Sequence, residues 1–549
     1  MAIIELLLVL IVIFFICTTR DRRSSLPPGP SRLPIVGSAH HLPLKYQQHV
    51  FKEWRKIYGA LRTSANWCDV VYLRIFNKPA IILNSARAME ELLDRRGYKY
   101  SDRPRTIYIS ELVGLTNNVT ILPYGDQWRR QRRWFQTAFQ TSTALDSYIP
   151  LQRRESVRLL AGLIDANQDG NDGDWVGIFL FKGLKHYVSA LMMDIAYGHS
   201  VSCPDDEFVA LAERAILGII EAGGAAASLI DFFPFLKFIP AWIPGMHFMA
   251  KVAEVNRLNR QMIDVPYERV HAAMVQGTAR DCFMTTLLDE YTIDGQVSDY
   301  DREDIKGAAN IVYGAGTDTT ATALTTFMLA IVLYPNTRQR AQNELDAVVG
   351  TERLPEFEDR ASLPYLEALL KEVFRWNPPV PLALPHQLTE DDTYDSYTIP
   401  AGSMIMPNVW YALFRLLSYS KAEPRIDLSR CRAITRDPEY YEEPDVFKPE
   451  RFLSANPERD PRDFVFGFGR RLCPGQAFGD SSIWLAVSRI LATLDVTKAR
   501  DPTTGVEIDF EPEFISGMMS HVIPFPCGVR PRSDKSVELI RALEAEEST

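Results

Sequence analysis

Phe466-Gly467-Phe468-Gly469-Arg470-Arg471-Leu472-Cys473-Pro474-Gly475, near the end of the 549-residue chain, sets one cysteine among glycines, aromatics and two arginines. A thiolate that serves as a metal ligand needs backbone N–H donors nearby to hold its charge, and glycine lets the main chain curl close to a sulfur where a Cβ would clash. Gly469 and Gly475 meet that need on either side of Cys473. The alternative is a buried, inert cysteine in a glycine-rich turn, the common fate of a single cysteine. The whole string argues against it, because five of its ten positions follow one spacing, Phe-x-x-Gly-x-Arg-x-Cys-x-Gly.

That spacing resembles the cysteine-ligand signature of the cytochrome P-450 superfamily. The resemblance implies haem b (iron protoporphyrin IX) with Cys473 as the axial thiolate, Arg471 on a haem propionate and Phe466 against the ring on the thiolate side. Three upstream motifs follow in the order the family requires. Glu372-Val373-Phe374-Arg375 places a carboxylate and a guanidinium on one helical face. The later Pro449-Glu450-Arg451-Phe452 resembles the segment whose arginine completes a buried Glu-Arg-Arg cluster, so Glu372, Arg375 and Arg451 are expected to be structural.

Ala315-Gly316-Thr317-Asp318-Thr319-Thr320 lies in an apolar stretch over 305–333. Glycine and threonines inside a helix are unfavourable by propensity, and Thr-Asp-Thr-Thr is also good N-cap chemistry. The string resembles the family's oxygen-activating centre, which implies a local opening of the helix and a proton relay by the catalytic pair Asp318 and Thr319. Trp128-Arg129-Arg130-Gln131-Arg132 matches the family's Trp-x-x-x-Arg helix, and Trp128 and Arg132, one turn apart, are expected to reach the propionates. Arg129, Arg130 and Arg133 would project elsewhere and, with Arg470, give the face on the thiolate side a positive potential suited to an acidic electron donor. His386, after Pro385, falls where the family often places another propionate donor; an ordinary turn histidine is the alternative.

Composition agrees. A formal net charge of −10 and a pI near 5.6 argue against nucleic-acid binding. Seven cysteines without a C-x-x-C pair imply neither a zinc site nor a disulfide framework. No P-loop or Rossmann fingerprint opens a strand–helix unit, so the electrons are expected from NADPH through a separate cytochrome P-450 reductase, with cytochrome b5 as a second candidate donor. No linker divides the chain after its N-terminal region. The expected fold is mainly α with small β-sheets, one haem domain over 33–549, preceded by one transmembrane helix.

Residues 1–19 are almost wholly apolar and are followed by Arg20, Arg22 and Arg23. They read as a signal anchor of the endoplasmic reticulum that leaves the catalytic domain in the cytosol. A basic, proline-rich hinge over 20–32 follows. With that topology the sequon at Asn118 stays unmodified. The run Phe232-Phe233-Pro234-Phe235-Leu236-Lys237-Phe238-Ile239-Pro240-Ala241-Trp242-Ile243-Pro244 is too proline-rich to span a bilayer, and reads either as a shallow contact with membrane lipid or as a buried core loop.

Substrate-facing segments carried over from the family are 101–124, 217–230, 310–317, 378–384 and 514–521. Val380, Leu382, Ala383, Leu384, Ile515 and Met518 give them an apolar character, which suits a hydrophobic small molecule. The general resemblance is to fungal membrane-bound members acting on terpenoid or aromatic compounds in secondary metabolism or xenobiotic oxidation. The alternatives are a haem-dependent isomerase or dehydratase, and a silent haem protein. The second arises from residues 411–432, which interrupt the family pattern between Trp410 and Ala433. Trp410-Tyr411 encodes a GTA splice-donor start, and Cys431-Arg432 admits an acceptor-like CAG whose following G restores the tryptophan codon. The stretch therefore reads as a retained intron of twenty-two codons, with a surface insertion as the alternative. Residues 60–68 also read as extra sequence.

Overall fold

The computed structural model describes residues 26–43, 47–59, 69–168, 176–201, 203, 206–222, 225–244, 246–409, 435, 441–501, 503–515 and 517–547. The expected membrane anchor at 1–19, the basic part of the hinge, residues 60–68 and the insertion at 411–432 lie outside the described residues. Within them the chain is mainly helical with small sheets. It comprises two compact units: Met1–Pro104, Pro381–Glu439 and Gly467–Leu472 make the first, and Arg105–Val380, Tyr440–Phe466 and Cys473–Thr549 the second. The chain passes between the two several times, so no single linker marks the division in sequence.

The first unit is built on helix α1 (Gln47–Gly59) and five short strands: β1 (Val70–Ile75), β2 (Lys78–Leu83), β3 (His386–Gln387), β4 (Asp392–Tyr394) and β5 (Tyr397–Ile399), with β6 (Met404–Pro407) completing the main sheet in the order β1-β2-β6-β3. The β1–β2 hairpin turns through Phe76 at φ 51°, and Val70, Val71, Ile81 and Ile82 are buried, so both faces of the hairpin are covered. β2 runs parallel to β6, which requires the long crossover that the intervening chain supplies. The hinge is pinned to this sheet: the Pro28 carbonyl accepts the Tyr72 N–H at 2.9 Å, and a Cβ on Gly29 would collide with the Tyr72 carbonyl.

The second unit packs helices α2 (Asp126–Gln140), α3 (Ile149–Gln168), α4 (Val176–Tyr197), α5 (Glu207–Ala222), α6 (Phe248–Val275), α7 (Phe283–Tyr291), α8 (Asp299–Leu333), α9 (Pro335–Val348), α10 (Pro364–Trp376), α11 (Gln476–Thr493) and α12 (Asp534–Glu547) beside the hairpin of β7 (Leu494–Lys498) and β8 (Cys527–Pro531). α8 is the axis of this core. Its N-cap is Ser298, whose hydroxyl accepts the Asp301 N–H, with Asp299 and Asp301 in the first turn where the helix dipole favours acids. Pro335 ends it by opening α9. Among the described residues α8 alone is long and apolar enough to cross a membrane, yet 72% of that apolar window is buried inside the protein, as befits a core helix. α4 lies along it, and Gly316 marks the closest approach: a Cβ there would run into Met192 Sδ.

The proline-rich aromatic run contains one short 3-10 turn, Pro234–Phe238. Phe235 is 63% exposed, and Phe238 and Trp242 are 77% exposed, which removes the reading of this run as a core loop. The Asn118 side chain is buried and accepts the Thr120 N–H at 2.9 Å and the Thr120 hydroxyl at 2.6 Å, so the sequon is turned inward in the fold.

Candidate active site

In the second unit, the Cys473 N–H donates to the Phe466 carbonyl at 2.8 Å, closing the loop at its base, and Phe466 packs edge-on against Phe374 of α10 with centroids 5.4 Å apart. Gly475 is the N-cap of α11, and its N–H points at the Cys473 thiol. Burial pushes that thiol up, while the Gly475 N–H and the nearby Arg132 guanidinium pull it down. A thiolate here is thus held by a helix N-terminus, a backbone donor and a cation. The geometry corrects the steric reading of Gly475: its φ is −86° and an added Cβ would lie 4.0 Å from Cys473 Sγ, an ordinary contact. Gly475 contributes a donor, not space. Gly469 is required for a different reason than the sulfur. It sits at φ 52° in the first unit, its N–H donates to Asp94 Oδ1, and a Cβ would strike the Leu93 carbonyl.

Among the described residues, the first unit buries two arginines. Arg471 Nε donates to the Ser101 carbonyl at 2.8 Å, and Arg103 Nη1 donates to the Leu384 and Pro385 carbonyls at 2.8 and 2.7 Å; both side chains are buried. Burial and the Arg471 charge together push Arg103 down to about 9, against the pull of Asp102. His386 is buried beside them, and burial followed by the Arg103 charge lowers it well below its ordinary value. Its Nδ1 lies 2.7 Å from the Tyr100 carbonyl, so Nδ1 is the donor and the neutral ring presents Nε2 as an acceptor. His386 thus presents Nε2 as an acceptor, and Arg103, which carries no motif, lies within the field of Arg471.

On α2, Trp128 is buried against Tyr124 and Arg132 is half-buried, its guanidinium lowered by burial and raised by Cys473. Two of the neighbouring arginines are engaged in ion pairs. Arg129 pairs with Asp126 at 2.6 Å, and Arg130 is half-buried between Asp301 at 2.6 Å and the fully buried Asp304. Glu372, Arg375 and Arg451 meet in the second unit. Arg375 Nε lies 2.6 Å and Arg451 Nε 3.2 Å from Glu372 Oε2, with side chains no more than 1% exposed. Arg375 also donates to the Pro444 carbonyl at 2.6 Å and the Val446 carbonyl at 3.1 Å, and Arg451 to Glu458 at 2.8 Å. The cluster thereby ties the meander ahead of Phe466 to α10.

Along α8, the Ala315-to-Thr320 string is continuous helix, so the expected opening is not a break in the helix, and the N-cap alternative fails because the cap is Ser298. Instead the threonine hydroxyls compete for helix carbonyls: Thr319 donates to Ala315 O and Thr322 to Asp318 O, each at 2.8 Å. Thr317 Oγ1 and Asn310 Oδ1 are buried without a hydrogen-bond partner. Asp318 Oδ2 lies 3.5 Å from His521 Nε2. No group of three or more metal-ligating side chains occurs among the described residues, so a metal here needs ligands beyond protein carboxylates and imidazoles. A porphyrin iron fits what is present. The thiol set at a helix N-terminus in the second unit would serve as its thiolate ligand, and the two buried guanidiniums of the first unit, each within the field of the other, are of a kind that binds carboxylate anions such as propionates.

A sequence profile of the family described as Cytochrome P450 matches residues 27–423 and 430–513; its break falls inside the stretch 411–432. Cytochrome P450 monooxygenases 176 and 136 of Postia placenta are each 41% identical to this chain, over 95% and 96% of it and 93% and 92% of their own lengths. Cytochrome P450 monooxygenase claR of Ampulloclitocybe clavipes is 35% identical over 98% of the chain and 92% of its own length.

Proposed function

The chain belongs to the cytochrome P450 family and is a haem-thiolate monooxygenase, and from this we propose that it places one oxygen atom from dioxygen into a terpenoid or aromatic small molecule. The setting is secondary metabolism or xenobiotic oxidation, with electrons from NADPH through a separate reductase. The observation that carries the substrate class is the character of α8 around the relay motif. Ala308, Ala309, Val312 and Tyr313 are buried, and Thr317 and Asn310 hold two unpartnered polar atoms. A mostly apolar guest with one or two oxygen functions would satisfy those two polar atoms beside the apolar core that α8 helps to build. Ile515 and Met518, 50% and 66% exposed, are open to contact.

Haem bound through Cys473 supplies the redox chemistry that activates dioxygen. The protein's own residues do the rest. The Gly475 N–H and the α11 N-terminus hold charge on the Cys473 sulfur, and Phe466 shields it. Within the first unit Arg103 and Arg471 would bind carboxylates such as propionates, with Gly469 fixing the loop that carries Arg471; within the second, Trp128 and Arg132 would offer donors of the same kind. Asp318 carries a proton at its carboxylate and the Thr319 hydroxyl, now donating to Ala315 O, turns to pass it on. This relay favours oxygen insertion over isomerase or dehydratase chemistry, which has no need of delivered protons. The exposed Phe235, Phe238 and Trp242 would suit a shallow contact with lipid, in keeping with a setting at the endoplasmic reticulum membrane.

The test is to screen terpenoids and aromatics for perturbation of the haem spectrum of the purified protein, then turn over the binders with reductase, NADPH and ¹⁸O₂. A product carrying one labelled oxygen is expected. Binders that are only polar or charged, or products without label, would overturn the reading.

A further inference from the structure

Asp318 has a partner that its motif does not contain. His521 Nε2 lies 3.5 Å from Asp318 Oδ2, His521 Nδ1 lies 3.0 Å from Thr322 Oγ1, and Thr322 Oγ1 lies 2.8 Å from the Asp318 carbonyl. The three residues close a ring of polar contacts on one turn of α8. His521 is held in place by its own backbone: its carbonyl accepts the Ile515 N–H at 2.8 Å. The preceding Ser520 donates its N–H to the Pro379 carbonyl at 3.0 Å and its hydroxyl to Asn377 Oδ1 at 2.7 Å, and Asn377 Nδ2 reaches Thr326 Oγ1 at 2.9 Å. The segment bearing His521 is therefore tied to α8 one turn beyond Thr322.

Counting protons shows what the ring can do. Thr322 has one hydroxyl proton. If it goes to the Asp318 carbonyl, Thr322 can only accept from His521, so Nδ1 carries hydrogen, and Nε2 needs a second to face a carboxylate. If it goes to Nδ1, the neutral imidazole keeps its one hydrogen on Nε2, again facing Asp318. The two states differ by one proton and by the rotation of one hydroxyl, and no heavy atom moves. A third state, with the Nε2 hydrogen moved onto Asp318 Oδ2 and Nδ1–H kept on Thr322, satisfies the same contacts, so His521 can pass a proton to Asp318 without moving a heavy atom.

We propose that His521 is a positioning residue for Asp318 that also resupplies it with protons from solvent. This rests on the reading of Asp318 and Thr319 as the relay. The doubly protonated ring gives its Nε2 proton to Asp318 Oδ2, leaving neutral imidazole with Nδ1–H on Thr322. After Asp318 passes that proton toward Thr319, the bare Nε2 takes up another from water. The side chains of His521 and Asp318 are 28% and 25% exposed, enough for that exchange. From α8, Asp318 faces His521, and Tyr313 is buried within the field of the same carboxylate. On the paired backbone segment the nearest titratable residue is Glu513, which is exposed.

The test uses the haem-loaded full chain with reductase, NADPH and 7-ethoxycoumarin as an aromatic probe. Hydrogen peroxide released per NADPH is compared for wild type, D318N, H521A, H521Q and D318N/H521A, with the reduced carbon monoxide spectrum confirming the fold of each. H521A is expected to raise the peroxide fraction about threefold or more, a small share of the roughly 10²–10⁴-fold that a directly acting acid supplies. The double variant should leak no more than D318N, and H521Q, which keeps a donor but takes no second proton, should fall between wild type and H521A. Independently of turnover, carbethoxylation of His521, read by mass spectrometry, should be faster in D318A and T322A than in wild type. Leakage in D318N but not in H521A or H521Q would overturn the role of His521 and leave the relay standing. No leakage in D318N would overturn the relay and this inference with it, and unchanged labelling in D318A would show that the pair does not exist in solution.

Discussion

Replacing Glu372 with Gln removes the one negative charge between two buried guanidiniums. Arg375 and Arg451 lie 2.6 and 3.2 Å from its carboxylate, the side chains are at most 1% exposed, and the Lys448 N–H also donates to it at 2.6 Å. Breaking a fully buried ion pair by removing one partner costs about 3–5 kcal/mol, because the remaining charge stays buried. An unfolding entropy of about 2.1 cal/mol/K per residue over 549 residues converts that loss to a fall in apparent melting temperature of about 3–4 °C. The same arginines hold the Pro444 and Val446 carbonyls, so the meander before Phe466 loosens and less haem is retained. Thermal unfolding by circular dichroism, with the reduced carbon monoxide band quantified per mole of protein, measures both effects. D126N is the control: Asp126 pairs with Arg129 at 2.6 Å but is 99% exposed, and its loss should leave the melting temperature unchanged. A melting temperature for E372Q within about 1 °C of wild type, with a full haem band, would refute the claim that this charge cluster holds the meander.

The two loop glycines should behave oppositely. G469A, at φ 52° against the Leu93 carbonyl, should lose most haem incorporation, whereas G475A should retain its carbon monoxide band because the donor N–H survives and the Cβ finds room. His386 gives a pH signature: its folded value is depressed, so below its ordinary value of about 6.5 the unfolded chain binds a proton that the native one refuses, and stability falls with pH. H386N keeps a donor toward Tyr100 and should show a smaller drop in melting temperature between about pH 7 and pH 5.5; an equal drop would remove His386 from the account. Sequencing of the transcript should find a message lacking the twenty-two codons of 411–432, and the longer message alone would refute the intron.

Residues whose role depends on local spacing were legible in the sequence. Cys473, the Glu372–Arg375 pair and the Asp318-Thr319 string each sit in short patterns that local spacing picks out; the structure sets Cys473 at a helix N-terminus and Glu372 against Arg375, while the Asp318-Thr319 string lies in continuous helix where an opening was expected. Residues recruited by tertiary structure were not. Arg103 stands in an unremarked Ser-Asp-Arg-Pro run and becomes a haem-propionate candidate only because the fold brings Arg471 beside it. His521 meets Asp318 across some two hundred residues of chain. Arg130 read as surface charge because its partners, Asp301 and Asp304, lie on another helix. Gly475 was identified correctly for the wrong physical reason, since sequence shows a missing Cβ but not which way an N–H points. The exposure of Phe235, Phe238 and Trp242 was equally invisible, because an apolar run looks alike in a core and on a surface.

The central claim is that Cys473 is the thiolate ligand of a haem. The most direct measurement is the reduced, carbon monoxide-bound absorption spectrum of the wild-type chain and of C473A, each purified with haem supplied. The account predicts the red-shifted Soret band of a thiolate-ligated haem in the wild type and its absence in C473A. The same band in C473A, or none in a folded wild-type protein that retains haem, would contradict it.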